Sequence, residues 1–253
     1  MHQCKRVTMA SESLPFSTPP HLVDPSANLT SFSISVPDSD VENLKTLLQL
    51  SYIASPNFEN SHNNGYFGIP RDALVNLVSH WQTDYSWRKW ESALNAFPQF
   101  KITMTANGDG DHHHPYVIHF LALFSSNPSA IPILLLHGWP GSVVEFLPLL
   151  HHVRSRYRTP AELPYHMVVP HFIGYGFSSP PPLHRDFTHV DNAGLVAKLM
   201  HTLGFGNGYV VQGGDLGGAT APVVSKLDAS CRLVHVNMLG IPPPKDTDIE
   251  ADM

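Results

Sequence analysis

The sequence predicts an α/β fold, in which a mostly parallel sheet carries helices on both faces and follows a helical meander at the amino terminus. Largely apolar runs of strand length occur at 131–136 and 167–172, and a further strand is predicted at 233–238. Such runs are typical of strands that are buried on both faces. Segments with helical apolar spacing lie between them, at 142–151 and 196–203. This alternation of strands and helices favours a parallel sheet with right-handed crossovers.

Composition and spacing divide the chain into four predicted parts. Residues 1–27 are rich in serine and proline, and we expect them to form a mobile tail. Residues 28–100 should form a mainly helical amino-terminal domain, and residues 101–240 an incomplete α/β core. The polar, acidic residues 241–253 should form a disordered tail.

Two local patterns add detail to the first half of the chain. Ser39 and Glu42 have the spacing of a capping box, which predicts that a helix begins there. Apolar residues at 100–106 and 116–124 predict a pair of strands. The Asn-Gly-Asp-Gly-Asp sequence at 107–111 is a strong turn signal, so the two strands should form a hairpin.

No metal ion and no nucleotide cofactor is expected. The three histidines at 112–114 lie close to Asp109 and Asp111, but adjacent residues of an extended segment point alternately apart and do not converge on one ion. We therefore interpret this segment as a solvated loop. The glycines at 204–208 precede no helix and no Gly-Lys-Ser/Thr sequence follows them, so they do not predict a phosphate-binding loop.

The most informative segment is the turn Gly-Gly-Asp-Leu-Gly-Gly at 213–218, between a predicted strand and a predicted helix. A strand, a Gly-x-nucleophile-x-Gly turn and a helix together form a nucleophile elbow. The small residues Gly213 and Gly217 allow the tight turn, which presents the central side chain at the carboxyl end of the sheet. That central residue is Asp215, our candidate nucleophile. The alternative is a flexible turn in which Asp215 merely caps a helix.

An aspartate at this position implies a particular chemistry. A carboxylate attacks an electrophilic sp³ carbon and forms an alkyl ester with the protein, which divides one difficult step into two easier ones. The amino end of the following helix, with its free N–H groups and its dipole, should keep Asp215 ionised.

A second motif, His-Gly-Trp-Pro-Gly at 137–141, follows the predicted strand 131–136. In a nucleophile-elbow fold, the oxyanion hole takes one N–H from the residue after the nucleophile and one from a loop after a neighbouring strand. Here these would be the N–H groups of Leu216 and Trp139, with His137 orienting the turn. The alternative is a helix-initiating turn with a packed tryptophan.

Taken together, these motifs resemble the epoxide hydrolases of the microsomal type, which belong to the α/β-hydrolase superfamily. The resemblance rests on 137–141, on Gly-Tyr-Gly-Phe-Ser at 174–178 and on 213–217. It extends to the amino-terminal domain through Trp81, Tyr85, the Trp-Arg-Lys sequence 87–89 and the segment 94–100. The resemblance implies that an epoxide is opened to a vicinal diol through an aspartyl ester at Asp215, in small-molecule or secondary metabolism. The implied substrate is a small hydrophobic epoxide.

In that family the lid begins where this sequence reaches residue 240. The lid carries two tyrosines that protonate the epoxide oxygen, and an acid and a water-activating histidine follow it. We therefore expect a chain truncated before the lid, without the carboxyl-terminal part of the fold. His171 and Tyr175 lie after a neighbouring strand, but a structural role is favoured for each over a role as general base.

Two other functions remain open. A non-catalytic relative could bind a hydrophobic metabolite, or a protein partner that covers the open core. A dehalogenase would also use an aspartate nucleophile, but that class usually places a halide-binding tryptophan directly after it, where this chain has Leu216.

Composition limits the partners and the location. The formal net charge is −6 and no cluster of Lys and Arg occurs, which argues against a nucleic-acid partner. Cys4 and Cys231 are the only cysteines, which suggests a reducing compartment. Residues 1–20 contain no apolar stretch long enough for a signal peptide or a membrane anchor, so we expect a cytoplasmic protein.

Overall fold

The computed structural model describes residues 14–20, 23–24, 26–62, 65–105 and 114–238. These residues form two compact units, one of which runs from Ser33 to Ala96 while the other contains the rest. The larger unit holds all the strands of the described residues. They are β1 (Asn28–Phe32), β2 (Gln99–Thr105), β3 (Pro115–Leu123), β4 (Ile131–Leu136), β5 (Tyr165–Pro170), β6 (Tyr209–Gly213) and β7 (Cys231–Val236).

Within the described residues, these strands form one seven-stranded sheet in the order β1-β2-β3-β5-β4-β6-β7. The four strands β5, β4, β6 and β7 run parallel to one another. The strands β1, β2 and β3 pair antiparallel, and β3 joins the parallel half through an antiparallel pairing with β5. The predicted α/β fold is confirmed, as is the β2–β3 pair, and the sheet is mixed.

Helices cover both faces of the parallel half. A 3₁₀ turn (Val143–Phe146) leads into α5 (Leu147–Arg156), and further along the chain come α6 (His189–Thr202) and α7 (Leu216–Leu227). One buried cluster includes Leu199 of α6 and Val224 of α7, and the other includes Leu150 of α5. Strand β3 is buried over nearly its whole length because it contributes side chains to both clusters. Burial on both faces explains why the central strands are continuous apolar runs.

The sheet register brings the two sequence motifs side by side. Strands β4 and β6 are parallel neighbours, and Leu136 pairs with Gly213 at their carboxyl ends. The chain leaves β4 into the 137–141 turn and leaves β6 into the Asp215 turn. Ligands of open α/β sheets bind at this end of the strands.

The unit Ser33–Ala96 contains α1 (Asp38–Leu50), α2 (Phe58–Ser61), α3 (Arg71–Thr83) and α4 (Trp87–Asn95). The Glu91 carboxylate accepts a hydrogen bond from the backbone N–H of Val36, and Asn95 exchanges hydrogen bonds with the backbone of Ile34. Arg88 pairs with both Glu91 and Asp38. These polar contacts fasten the start of the unit to its last helix.

The limits of this unit differ from the predicted domain 28–100. Strand β1 and the start of β2 hydrogen-bond into the sheet and therefore cluster with the core. The predicted capping box at Ser39 and Glu42 is wrong. Helix α1 already begins at Asp38, after Pro37, and no side chain caps it.

The predicted tail 1–27 also needs correction in its described part. Phe16 is 4 % exposed and belongs to the buried cluster around α5. Its carbonyl oxygen accepts the N–H of Phe124 at 3.0 Å. An apolar ring in a Ser/Pro-rich stretch thus anchors this segment to the sheet. The predicted hairpin turn 107–111, the histidines at 112 and 113, and the tail 241–253 lie outside the described residues.

Candidate active site

Asp215 lies between β6 and α7 in a strained backbone conformation. Its φ is 52° and its ψ is −118°, a region that non-glycine residues rarely occupy. Gly213 and Gly217 make the turn feasible. A Cβ atom on Gly213 would lie 2.1 Å from the carbonyl oxygen of Gly217, and one on Gly217 would lie 2.2 Å from that of Leu136. The turn therefore excludes any side chain at either position.

Two backbone N–H groups bind one oxygen of the Asp215 carboxylate. The N–H groups of Trp139 and Leu216 each donate to Oδ1 at 2.7 Å. These hydrogen bonds, first that from Trp139 and then that from Leu216, hold the pKa of Asp215 below its ordinary value. The side chain is exposed at the carboxyl end of the sheet. Among the described residues, no hydrogen bond reaches its other oxygen, Oδ2.

The turn that carries Trp139 is fixed from two sides at Gly138. The Nδ1–H of His137 donates to the Gly138 carbonyl at 2.9 Å, while the Nε2 of His137 accepts the N–H of Phe172 at 3.2 Å. The Glu145 carboxylate accepts the Gly138 N–H at 3.2 Å. Because Nε2 accepts a hydrogen bond, the ring of His137 is neutral, and burial lowers its pKa accordingly. Its two hydrogen bonds join the 137–141 turn to the backbone at Phe172.

Gly138 also has a steric role. A Cβ atom there would lie 2.8 Å from the Cβ of Asp215 and 3.1 Å from its Oδ1. The absence of a side chain thus lets the two turns approach closely enough for the Trp139 N–H to reach the carboxylate.

His171 is not available as a base at Asp215. Its Nδ1 lies 2.8 Å from the Nδ1 of His119, and the Nε2 of His119 lies 2.9 Å from the Oε1 of Gln99. Since the glutamine oxygen accepts, His119 donates from Nε2 and its Nδ1 accepts from His171. Burial, and then the neighbouring histidine, lower the pKa of each ring to about 3. Both rings are neutral, buried and hydrogen-bonded to each other.

The ring of Tyr175 packs against His137 and Phe172, which agrees with the structural role predicted for it. In the described part of the chain, no tyrosine or histidine side chain hydrogen-bonds to Asp215. The same residues contain no group of three or more His, Cys, Asp or Glu that could hold a metal ion.

Sequence reasoning missed Glu145 and the His119–Gln99 pair. Glu145 follows the 137–141 motif by one helical turn, which could have indicated a carboxylate facing that loop. His119 and Gln99 lie 20 residues apart on different strands, and nothing in their local sequence links them.

Comparisons with known proteins agree with this geometry. A family model described as "Epoxide hydrolase N terminus" matches residues 29–146, and one described as "alpha/beta hydrolase fold" matches residues 131–225. A protein of Dothistroma septosporum, provisionally named an epoxide hydrolase, is 37 % identical over 215 residues, which are 84 % of this chain and 50 % of that protein.

Solved structures show the same relationship. The structure of Aspergillus niger epoxide hydrolase matches with a TM-score of 0.81 and 43 % identity, over 94 % of this chain and 59 % of that one. Juvenile hormone epoxide hydrolase from the silkworm Bombyx mori matches with a TM-score of 0.68 and 26 % identity, over 85 % and 54 %.

The chain spans about half the length of the relatives that it matches. Within the described residues, no helix is both long and apolar enough to cross a membrane. The matched regions run from the amino-terminal domain through the Asp215 turn, and the core has the expected sheet. The chain belongs to the epoxide hydrolase family of the α/β-hydrolase fold.

Proposed function

We propose that this chain carries the nucleophilic half of an epoxide hydrolase site, with Asp215 as the nucleophile. Oδ2 of Asp215 attacks one epoxide carbon, the bond from that carbon to the ring oxygen breaks, and the ring oxygen takes up a proton from solvent as a hydroxyl. Water then attacks Cγ of the resulting ester and releases one proton to solvent. The Cγ–Oδ2 bond breaks, and Oδ2 leaves with the substrate and takes up the other water proton, so that a vicinal diol departs and the Asp215 carboxylate retains the oxygen from water.

The division of labour between the two carboxylate oxygens supports this proposal. Oδ1 is held by two N–H groups at 2.7 Å, and Oδ2 is left to attack. When water adds to Cγ, negative charge develops on Oδ1, which already accepts hydrogen bonds from the N–H groups of Trp139 and Leu216. One such donor contributes about 10²–10³ in rate in related chemistry.

The proposed substrate is a small hydrophobic epoxide. The side chains of Trp139 and Leu216 are 68 % and 37 % exposed, and their own N–H groups bind Asp215. Apolar surface therefore borders the nucleophile. We also propose that the protein acts in secondary metabolism and that it is located in the cytoplasm.

Proton transfer is the step for which the described residues offer no group. Without an acid at the epoxide oxygen or a base for water, each step loses a factor of about 10²–10⁴. We therefore expect the chain by itself to form the ester slowly and to hydrolyse it slowly, so that the ester accumulates.

Intact-protein mass spectrometry after incubation with styrene oxide tests the proposal. We expect one adduct per chain, mapped by peptide analysis to Asp215, and release of the diol in ¹⁸O-water should leave label in the Asp215 carboxylate. Asp215→Asn should form no adduct. Asp186→Asn, which changes an exposed aspartate outside the turn, should behave like the parent chain. An adduct that survives in Asp215→Asn contradicts the proposal.

The alternative is a binding protein without chemistry, for a metabolite or for a protein partner that covers the core. The exposed Trp139 and the fully exposed Leu183 favour such contacts. Equilibrium binding of a non-reactive analogue of the epoxide to Asp215→Ala separates the two functions. Unchanged affinity together with the absence of any adduct in the parent chain would favour the binding function.

A further inference from the structure

A cavity lies at the opposite end of the sheet from Asp215. Its volume is about 630 Å³, within the range of about 300–1,000 Å³ that is typical of small-molecule pockets. Its walls include Ala130 and Pro132 at the start of β4, His166 in β5 and Gly208 just before β6. These are the amino ends of the parallel strands, whereas Asp215 follows the carboxyl end of β6.

The cavity walls are uncharged and stiff. None of the 19 lining residues is Asp, Glu, Lys or Arg, and five of them are prolines. Proline has a fixed φ, so these walls have little freedom to collapse. Hydrogen bonds from Ser125 and Ser126 to the carbonyl oxygens of Leu163 and Pro160 tie two of the lining loops together.

Three aromatic rings and one imidazole form the inner wall. Phe16 and Phe124 are buried side chains of the lining, and Phe205 packs against the ring of His166 at 4.9 Å between centroids. Phe16 has a φ of 67°, a left-handed conformation that is unfavourable for a bulky residue. The hydrogen bond from the Phe124 N–H to the Phe16 carbonyl holds this ring in the wall.

His166 supplies a polar group to which no described residue hydrogen-bonds. Its Nδ1 accepts the N–H of Ser125 at 3.2 Å, so its proton is on Nε2. Burial lowers the pKa of His166 to about 4, and the ring is therefore neutral near pH 7. In the described part of the chain, Nε2 has no hydrogen-bond partner. Every fully enclosed side-chain nitrogen or oxygen of that part has one, so Nε2 is not fully enclosed. His166 is only 7 % exposed and lines the cavity, so its Nε2–H is accessible from that space.

We propose that this cavity is a second ligand site, which takes an uncharged, mainly aromatic or aliphatic small molecule with one hydrogen-bond acceptor, such as a ketone, for the Nε2–H of His166. The uncharged walls exclude ions, since nothing there would compensate their lost hydration. The site is independent of the chemistry at Asp215 and does not rest on the proposed function.

Fluorescence and calorimetric titration with prodan, a neutral naphthyl ketone, tests this proposal on the full chain. We expect saturable binding with one site per chain and a blue-shifted emission. Ala161→Trp places a bulky group on an exposed turn that lines the cavity, and should weaken binding by about tenfold or more. Ser129→Trp is the matched control, because it makes the same change at an exposed residue that does not itself line the cavity, and should leave affinity within about twofold.

The hydrogen bond has its own test. His166→Phe keeps an aromatic ring but removes the Nε2–H donor, together with the acceptor of the Ser125 N–H. It should weaken prodan by about fivefold, whereas binding of naphthalene, which has no acceptor, should stay unchanged. Circular dichroism checks that this variant folds. If it does not, the comparison of Ala161→Trp with Ser129→Trp still tests the proposal. Absence of saturable binding by the parent chain would overturn the proposal. So would equal binding by Ala161→Trp and Ser129→Trp, which would place the probe elsewhere.

Discussion

At the carboxyl end of the parallel strands, backbone atoms position one reactive side chain, Asp215, whereas at the amino end several side chains form the walls of the cavity. Two N–H groups, three glycines and one strained residue make the Asp215 site, and each stands in a short, contiguous motif. The amino-end cavity draws its aromatic rings, prolines and single histidine from separate strands and loops of the chain. A site made by the backbone leaves a compact signature in the sequence, and a site made by scattered side chains does not.

The two ends also tolerate change differently. At the carboxyl end a single methyl group would collide with a carbonyl oxygen, because the two turns touch through their backbones. At the amino end there is open volume, and several lining residues are exposed. We therefore expect small substitutions to be severe at the first end and mild at the second.

The largest effect should follow Gly217→Ala. The new Cβ would lie 2.2 Å from the carbonyl oxygen of Leu136, and neither backbone can move without displacing β4 or α7. We expect a loss of about 4 kcal/mol or more of unfolding free energy and no adduct at Asp215. Urea unfolding and mass spectrometry measure the two effects.

Gly194→Ala is the matched control for that substitution. Gly194 lies in α6, and outside its own stretch of the helix no atom lies within 4 Å of the added Cβ. Alanine should therefore stabilise the helix by about 0.5–1 kcal/mol. Equal effects at Gly194 and Gly217 would mean that the turn is not held by backbone contact.

A second effect, smaller but still large, should come from acid. In the folded chain the pKa of His119 and of His171 is about 3, and that of His166 about 4, against an ordinary value of about 6.5. The unfolded chain therefore takes up protons first. The stability that these neutral rings allow is complete above pH 6.5 and is lost progressively as the pH falls below it.

The His119–His171 pair alone should lower the unfolding free energy by about 2–3 kcal/mol between pH 7.5 and 5.5. Urea unfolding at several pH values measures this slope. His119→Phe at the carboxyl half and His166→Phe at the amino end should each flatten the slope by about one proton, whatever they do to absolute stability. A slope that is the same in all three chains would show that these rings are not neutral in the folded state.

Strands β4 and β5 could be predicted because central strands that are buried by neighbours on both faces are largely apolar runs. Asp215, Trp139, Leu216 and His137 were predicted from two glycine motifs, and the structure brings all four together. Their catalytic roles stay predictions. Phe16 could not be predicted as core, since its Ser/Pro-rich neighbours give no period. The His119–His171–Gln99 contacts depend on the register of β2, β3 and β5, which the sequence does not specify locally.

A moderate effect on ester hydrolysis should follow Glu145→Ala. This change removes the acceptor of the Gly138 N–H and frees the peptide that aims the Trp139 N–H at Asp215. We expect the aspartyl ester to persist about tenfold longer, a fraction of the loss for a whole oxyanion donor. The decay of the adduct by mass spectrometry measures it. Glu145→Gln keeps an acceptor oxygen and should restore most of the rate. Equal decay in the parent chain, Glu145→Ala and Glu145→Gln would show that Glu145 does not stabilise the turn.

The smallest effect compares a cap that the structure contains with the one that the sequence wrongly predicted. Thr188 accepts the N–H of Val190 at the start of α6, while Asp191 accepts the N–H of Thr188, which completes a capping box. Thr188→Ala should cost about 1 kcal/mol of unfolding free energy. Ser39→Ala, in a sequence with the same spacing but no cap, should change it by less than about 0.5 kcal/mol. Both motifs have the same spacing, so a difference between their urea midpoints measures the contribution of backbone conformation, which the spacing does not specify. The residue before the helix must adopt an extended backbone and leave its oxygen facing the first N–H groups, which Thr188 does, whereas Ser39 already lies inside α1.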